Sequence, residues 1–235
     1  MPAPTRTDLA LQAGAETLAC DLITAPGCGA VSTLFLHGAG QSTRQRQWPL
    51  RETLAQHGHA SAAIDFSGHG DSSALLPNSL AKRLDEAQAA LDRLCDDGAA
   101  RTVVGVSMSG EIAMRLACRP GNRIGHVVTI VGAVYDGAAF ALPFGPDFSA
   151  ALRRPGSWRD AESLRMIRQY PGRITLVRAL EDKVIPAEVA DLIRENAHAA
   201  SACRIVDLPG IDHRVSERSA QDEHLRRSLA ELIAG

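Results

Sequence analysis

Short apolar runs alternate along the chain with longer segments in which apolar residues recur at helical spacing. Val31–Leu36, Ala60–Phe66, Thr102–Val106, Val127–Val131, Ile174–Leu180 and Cys203–Leu208 are compact and apolar, as expected of strands covered on both faces. Two further segments, around Leu9–Leu11 and Thr17–Ile23, predict an opening hairpin before the Pro26-Gly27-Cys28-Gly29 turn. Residues 44–57 read as helix. So do Leu80, Leu84, Ala87, Leu91 and Leu94, with Asn78 as N-cap and Gly98 as stop. A helix over 108–118 carries Ile112, Ala113, Leu116 and Ala117 and ends at Pro120-Gly121. Pro186 fits the first turn of a helix bearing Val189, Leu192, Ile193 and Ala197. Ser219-Ala220-Gln221-Asp222 reads as a capping box before Leu225, Leu229, Leu232 and Ile233. This alternation predicts an α/β fold: a mostly parallel, twisted sheet of about eight strands with helices on both faces.

Residues 134–172 break the rhythm. They hold Pro143, Pro146, Pro155 and Pro171, and six of the nine Phe, Tyr and Trp residues of the chain: Tyr135, Phe140, Phe144, Phe148, Trp158 and Tyr170. So dense an aromatic cluster either docks the segment or lines a binding surface, and one face can do both.

Bulk properties narrow the function. A length of 235 residues with 45% apolar content fits one domain, 1–235, with a sizeable core. A net charge of −2 gives no general pull toward nucleic acid or an anionic membrane. Five dispersed cysteines, Cys20, Cys28, Cys95, Cys118 and Cys203, read as reduced thiols. The segment from Met1 to Asp8 has no apolar signal region, and no run is long enough to span a membrane. The expectation is a cytoplasmic protein acting on a small molecule. Oligomeric state is left open.

The candidate chemistry begins at Val104-Gly105-Val106-Ser107-Met108-Ser109-Gly110, where an apolar strand turns into a helix at a serine. This has the shape of a nucleophile elbow, G-x-S-x-G, except that Ser109 stands at the last glycine and Gly110 comes one step late. A serine before a helix is more often a simple N-cap, so Ser107 needs partners. Ser109 as the nucleophile would lie inside the first helical turn and lacks the preceding glycine. A serine hydroxyl requires a base, and the base an orienting acid, both from loops after later strands. Asp182 sits just past one strand, and His213 lies in the loop after the next. Glu181 is a rival to Asp182, while Asp207 and Asp212 flank His213.

With these residues in place, the chain resembles the α/β-hydrolase family over nearly its whole length. His37-Gly38-Ala39-Gly40 is similar to the family's H-G-x-G oxyanion loop, and Asp65 to Ser72 to its D-x-x-G-H-G-x-S turn. Gly105 to Ser109 resembles the elbow, and the order Ser107, Asp182, His213 is the family's. The resemblance implies that Ser107 attacks a carbonyl carbon to form an acyl-enzyme, His213 moves the proton and Asp182 orients the imidazole. It implies an oxyanion hole from the backbone N–H groups of Ala39 and Met108. It makes 134–172 a small lid whose Tyr135, Phe140, Phe144, Phe148 and Trp158 face an apolar or aromatic acyl group. The activity implied is hydrolysis of a carboxylic ester without cofactor or metal, a thioester being the nearest alternative. A silent ligand-binding homologue is a third, more distant reading. Arg44, Arg46 and Arg51 read either as a solvated helix face or as a site for an anionic substrate group. His37, His69 and Asp65 read as turn-stabilising.

Overall fold

The computed structural model describes residues 3–98 and 101–235; Met1 and Pro2 of the opening stretch lie outside them, as do Ala99 and Ala100. The chain opens with the hairpin β1 (Thr5–Ala13) and β2 (Glu16–Thr24), followed by β3 (Thr33–Leu36), α1 (Trp48–Gln56) and β4 (Ser61–Ile64). Then come α2 (Leu80–Leu94), β5 (Arg101–Val106), α3 (Ser109–Cys118) and β6 (Ile124–Ile130). Three short helices follow: α4 (Gly137–Phe140), α5 (Pro146–Arg153) and α6 (Glu162–Met166). The chain closes with β7 (Arg173–Ala179), α7 (Glu188–Asn196), β8 (Ala202–Leu208), α8 (Val215–Gln221) and α9 (Glu223–Ala234).

The eight strands form one sheet in the order β1-β2-β4-β3-β5-β6-β7-β8. β1 pairs with β2, and β2 with β4, antiparallel; all other neighbours are parallel. Period-two alternation sends successive residues to opposite faces. Leu34, Leu36, Val103, Val127 and Leu176 enter one core with the apolar faces of α2, α3 and α7 and part of 134–172. Phe35, Val104, Val128 and Val177 enter a second core with α1, Val215 of α8 and α9. Helices therefore cover both faces. β3 and β4 are buried along their whole length because their two faces serve different cores. The outer strand β1 is exposed at nearly every position and carries Arg6 and Asp8, which disfavour pairing with another chain.

Two capping expectations are corrected. The cap of α2 is Ser79, whose Oγ accepts from Lys82 N–H at 3.1 Å. Asn78 instead donates to the Ser67 carbonyl at 2.6 Å, tying down the preceding loop. The helix ends at Leu94, ahead of Gly98. Ser219 is not the start of a capping box either: it lies inside α8, and Asp222 caps α9 by accepting from Leu225 N–H at 3.0 Å. No helix among the described residues is long and apolar enough to cross a membrane.

Candidate active site

The parallel strands deliver their following loops to one edge of the sheet, with β5 between β3 and β6. At the end of β5 the backbone turns so sharply that Ser107 adopts a φ of 50°. For a side chain other than glycine this left-handed conformation costs about 1–2 kcal/mol. The turn is held by hydrogen bonds on both sides. Ser107 N–H donates to Ile130 O at 2.9 Å, and its carbonyl accepts from Gly110 and Ala133 N–H, each at 2.9 Å. Two glycines let α3 approach this closely. A Cβ at Gly105 would overlap the Ser109 carbonyl oxygen, and one at Gly110 would lie 2.8 Å from Gly132 Cα. The close approaches thus fall at Gly105 and Gly110, on either side of the serine.

Ser107 does not cap α3. The cap position is Met108, which makes no side-chain capping bond, while Ser107 Oγ lies 3.0 Å from His213 Nε2. His213 Nδ1 lies 2.8 Å from Asp182 Oδ2. The other oxygen of Asp182, Oδ1, accepts from Val184 N–H at 2.7 Å and Ile185 N–H at 3.0 Å. Three side chains from the loops after β5, β7 and β8 therefore meet in one hydrogen-bonded line. Glu181 is exposed and not part of it. Asp207 pairs with Arg178 at 2.7 Å, and Asp212 with Arg214 at 2.8 Å, so neither competes for His213.

Gly38 runs directly against the serine: a Cβ there would lie 3.2 Å from Ser107 Cβ. Among the described residues, neither Ala39 N–H nor Met108 N–H donates a hydrogen bond. Both sit beside Ser107, one on the neighbouring loop and one at the positive end of α3. His37 is buried and wedged between loops. Its Nδ1 lies 2.7 Å from the Gly38 carbonyl, which can only accept, and its Nε2 is 3.0 Å from Phe66 N–H, which can only donate. The ring is therefore neutral with its proton on Nδ1, and burial together with the nearby Arg83 holds its pKa well below the usual histidine range. His69 Nε2 accepts from Arg83 Nη2 at 2.6 Å; burial and that guanidinium lower its pKa too. Among the described residues, no three His, Cys, Asp or Glu side chains converge to hold a metal ion.

The arginine cluster is corrected on both counts. Arg44 is 5% exposed and Arg51 0%, so they form no solvated helix face. Nor are their charges available to a ligand. Arg51 pairs with Asp21, which is 0% exposed; Arg44 pairs with Asp21 at 3.1 Å and with Asp65. Asp65 also accepts from Arg44 N–H at 2.6 Å, which fixes the loop after β3 to the end of β4. Arg46 alone is exposed, and it pairs with Glu217.

The aromatic residues of 134–172 dock the segment. Phe148 is buried in the core shared with α2 and α3, with Phe144 at 4.7 Å and Tyr135 at 6.2 Å between ring centroids. The Arg115 guanidinium lies 3.6 Å over the Phe140 ring, and Trp158 Nε1 donates to Glu188 at the start of α7. Tyr170 serves elsewhere: its hydroxyl donates to Ile124 O, where β6 begins, at the far end of that strand from the serine. The clamp is Glu111 of α3, fully buried, whose carboxylate accepts from Arg115 Nε at 2.6 Å, Ser163 Oγ at 2.6 Å and Tyr135 N–H at 3.2 Å. Burial raises its pKa, and these donors oppose the rise. Sequence reasoning passed over Glu111, Arg115 and Arg83. The signal was a charged pair four residues apart on the otherwise apolar elbow helix.

Beside the Asp182–His213 pair opens a cleft of about 780 Å³, lined by Leu180, Glu181, Lys183, Val184, Asp212 and Arg214 as well. Leu180 is 53% exposed and Val184 63%, which gives this rim an apolar wall.

The comparisons agree with this architecture. The sequence profile of the alpha/beta hydrolase family matches residues 33–215, and the chain belongs to that family. No curated protein sequence matches the chain significantly. Among solved structures, the thioesterase domain from the curacin biosynthetic pathway superposes with a TM-score of 0.73 at 18% identity, covering 98% of this chain and 99% of that one. Est1E from Butyrivibrio proteoclasticus, solved with ferulic acid, gives 0.71 at 19% identity, over 97% of this chain and 100% of that one. A Pyrococcus furiosus esterase gives 0.70 at 20% identity, over 98% and 92%. At these identities the likeness is one of fold. Family and fold together support a hydrolase.

Proposed function

We propose that the protein is a serine hydrolase that cleaves a carboxylic ester of a small apolar or aromatic acid through an acyl-enzyme. The observation that carries this reading is the hydrogen-bonded line from Ser107 Oγ through His213 to Asp182, with separations of 3.0 and 2.8 Å. In it, His213 accepts the Ser107 proton on Nε2 as Oγ bonds to the carbonyl carbon, then returns that proton to the departing alkoxide. Water attacks the acyl-enzyme by the same route, releasing the acid. Asp182 holds the imidazole with its proton on Nδ1 and stabilises the imidazolium. The developing oxyanion is held by Ala39 and Met108 N–H, whose donors are otherwise unused. The insert 134–172, clamped to α3, acts as a small lid. Its Tyr135, Phe140, Phe144, Phe148 and Trp158 anchor that lid to the body of the domain. The cleft walled by Leu180 and Val184 receives the leaving group.

A basic patch able to hold a coenzyme phosphate would favour a thioester, and the arginine cluster does not provide one. Arg44 and Arg51 are committed to buried carboxylates and offer nothing to a coenzyme phosphate. The test is labelling by a fluorophosphonate probe, followed by turnover of p-nitrophenyl esters graded by acyl size. Labelling confined to Ser107 and lost in Ser107→Ala is the expected result. Absence of labelling in folded protein overturns the proposal, and acyl-CoA turnover exceeding that of the matched ester reinstates the thioesterase.

A further inference from the structure

The residue that departs from the elbow pattern has a partner. Ser109 is fully buried, and its hydroxyl donates to the carbonyl of His37 at 2.6 Å, across the gap between the elbow and the loop after β3. The next peptide of that loop is held from its carbonyl side too. Gly38 O accepts from His37 Nδ1 at 2.7 Å and from Arg83 Nη1 at 3.3 Å. Arg83 is 1% exposed, and its guanidinium stacks 4.7 Å over Phe66 and 5.3 Å over Phe144. Its Nη1 and Nη2 donors go to the Gly38 carbonyl and to His69, while the nearby Glu86 carboxylate acts on its charge without a hydrogen bond to it.

A trans peptide is planar, with its C=O and N–H pointing in opposite directions. Donors on Gly38 O therefore fix the direction of the N–H on the other side of the same peptide, which is Ala39 N–H. A cationic donor polarises that N–H further. Ser109 adds the second constraint. It is bonded in sequence to Met108, and its hydroxyl grips the peptide one step before Gly38. The two unused N–H groups, Ala39 and Met108, are thereby spaced by one side-chain bridge.

We infer that Ser109 and Arg83 are positioning residues that set the separation and polarity of the two oxyanion donors. This rests on the serine-hydrolase reading above. Glycine at 109 satisfies the backbone but removes the bridge, so restoring the family's usual residue weakens this enzyme.

The experiment compares wild type with Ser109→Ala, Ser109→Gly and Arg83→Met. Each is measured for kcat and KM on a p-nitrophenyl ester, for affinity to an alkyl boronic acid, and for thermal midpoint. The boronate forms a tetrahedral adduct at Ser107 that places an oxygen against the same donors. Complete loss of one donor costs about 100- to 1,000-fold, so a misaimed donor is expected to lower kcat about 10- to 100-fold. KM stays within about twofold, and boronate affinity falls in proportion to kcat/KM. Unchanged kcat and boronate affinity in folded variants overturns the inference, as does a fall in kcat with boronate affinity intact. The Ser109 and Arg83 variants are independent legs, so one that does not fold leaves the other to decide. A wild type that neither labels nor turns over ester defeats the serine-hydrolase reading itself. Normal wild type with normal variants defeats only this inference.

Discussion

Asp182 meets His213 through one carboxylate oxygen, at 2.8 Å, while its other oxygen is already committed to two N–H groups of its own loop. That division of labour dictates how an amide would sit in its place. In Asp182→Asn the carbonyl must face Val184 and Ile185 N–H, which turns the NH₂ toward His213 Nδ1. The imidazole then carries its proton on Nε2 and cannot take one from Ser107. We expect kcat to fall about 10⁴-fold with the thermal midpoint nearly unchanged. Glu181→Gln, one residue away and exposed, should stay within about threefold. Steady-state kinetics on a model ester checks both, and equal losses would reject Asp182 as the orienting acid.

The buried arginines make a prediction about stability. Asp21→Ala leaves Arg51 wholly buried without its carboxylate and removes a partner of Arg44. The expected cost is about 3–5 kcal/mol in urea unfolding. Arg46→Ala, which breaks an exposed pair with Glu217, should change stability by no more than about 0.5 kcal/mol. Similar effects from the two would mean that the Asp21 cluster is not structural.

Two glycines near the serine separate folding from chemistry. Gly105→Ala drives a Cβ into the backbone of α3, and a destabilisation of about 2–3 kcal/mol is expected from overpacking. Gly38→Ala crowds Ser107 Cβ at 3.2 Å and otherwise makes ordinary contacts, with Val106 O at 3.5 Å and Ser107 Oγ at 3.8 Å, so its effect should appear in the rate of fluorophosphonate labelling more than in the melting temperature. A Gly38→Ala protein that labels at the full rate would show that the loop has slack beside Ser107.

Acid sensitivity has an identified source on β6. His126 is buried, with Nε2 2.9 Å from Thr175 Oγ1, and burial, aided by Arg173 and Arg204, lowers its pKa to about 4. The unfolded chain, with a pKa of about 6.5, binds a proton that the folded protein does not. The stability His126 confers is therefore full above about pH 6.5 and declines as pH falls toward about 4, by an amount of order 2 kcal/mol. His126→Gln should flatten the fall of the thermal midpoint between pH 7 and 4.5. A smaller slope would persist from His37, whose pKa is lowered in the same direction. An unchanged slope in the variant would assign the acid sensitivity elsewhere.

The succession of strands along the chain and the loops that carry the site residues were legible because each leaves a local mark; the order of the strands within the sheet was not. The apolar runs of β3 to β8 mark strands buried on both faces, and the Gly105-to-Gly110 stretch marks a turn too tight for larger residues. What was not legible depends on partners far away in sequence. Nothing near Arg44 or Arg51 indicates that Asp21 and Asp65 neutralise them, so a buried ion cluster read as an open basic patch. Nothing near Ser109 shows why it stands in place of glycine, because its acceptor, the His37 carbonyl, is 72 residues away. The caps shifted for a simpler reason: Ser79 and Asp222 compete with equally suitable neighbours, and backbone entry angle decides.

The last strand in the chain's own order, β8, joins the sheet at its edge through β7, and His213 follows it. Ser107 and its partner are 106 residues apart, so their meeting depends on a long-range loop closure. Recovery of reactivity on refolding consequently requires the docking of the final edge strand, and not the formation of helices alone.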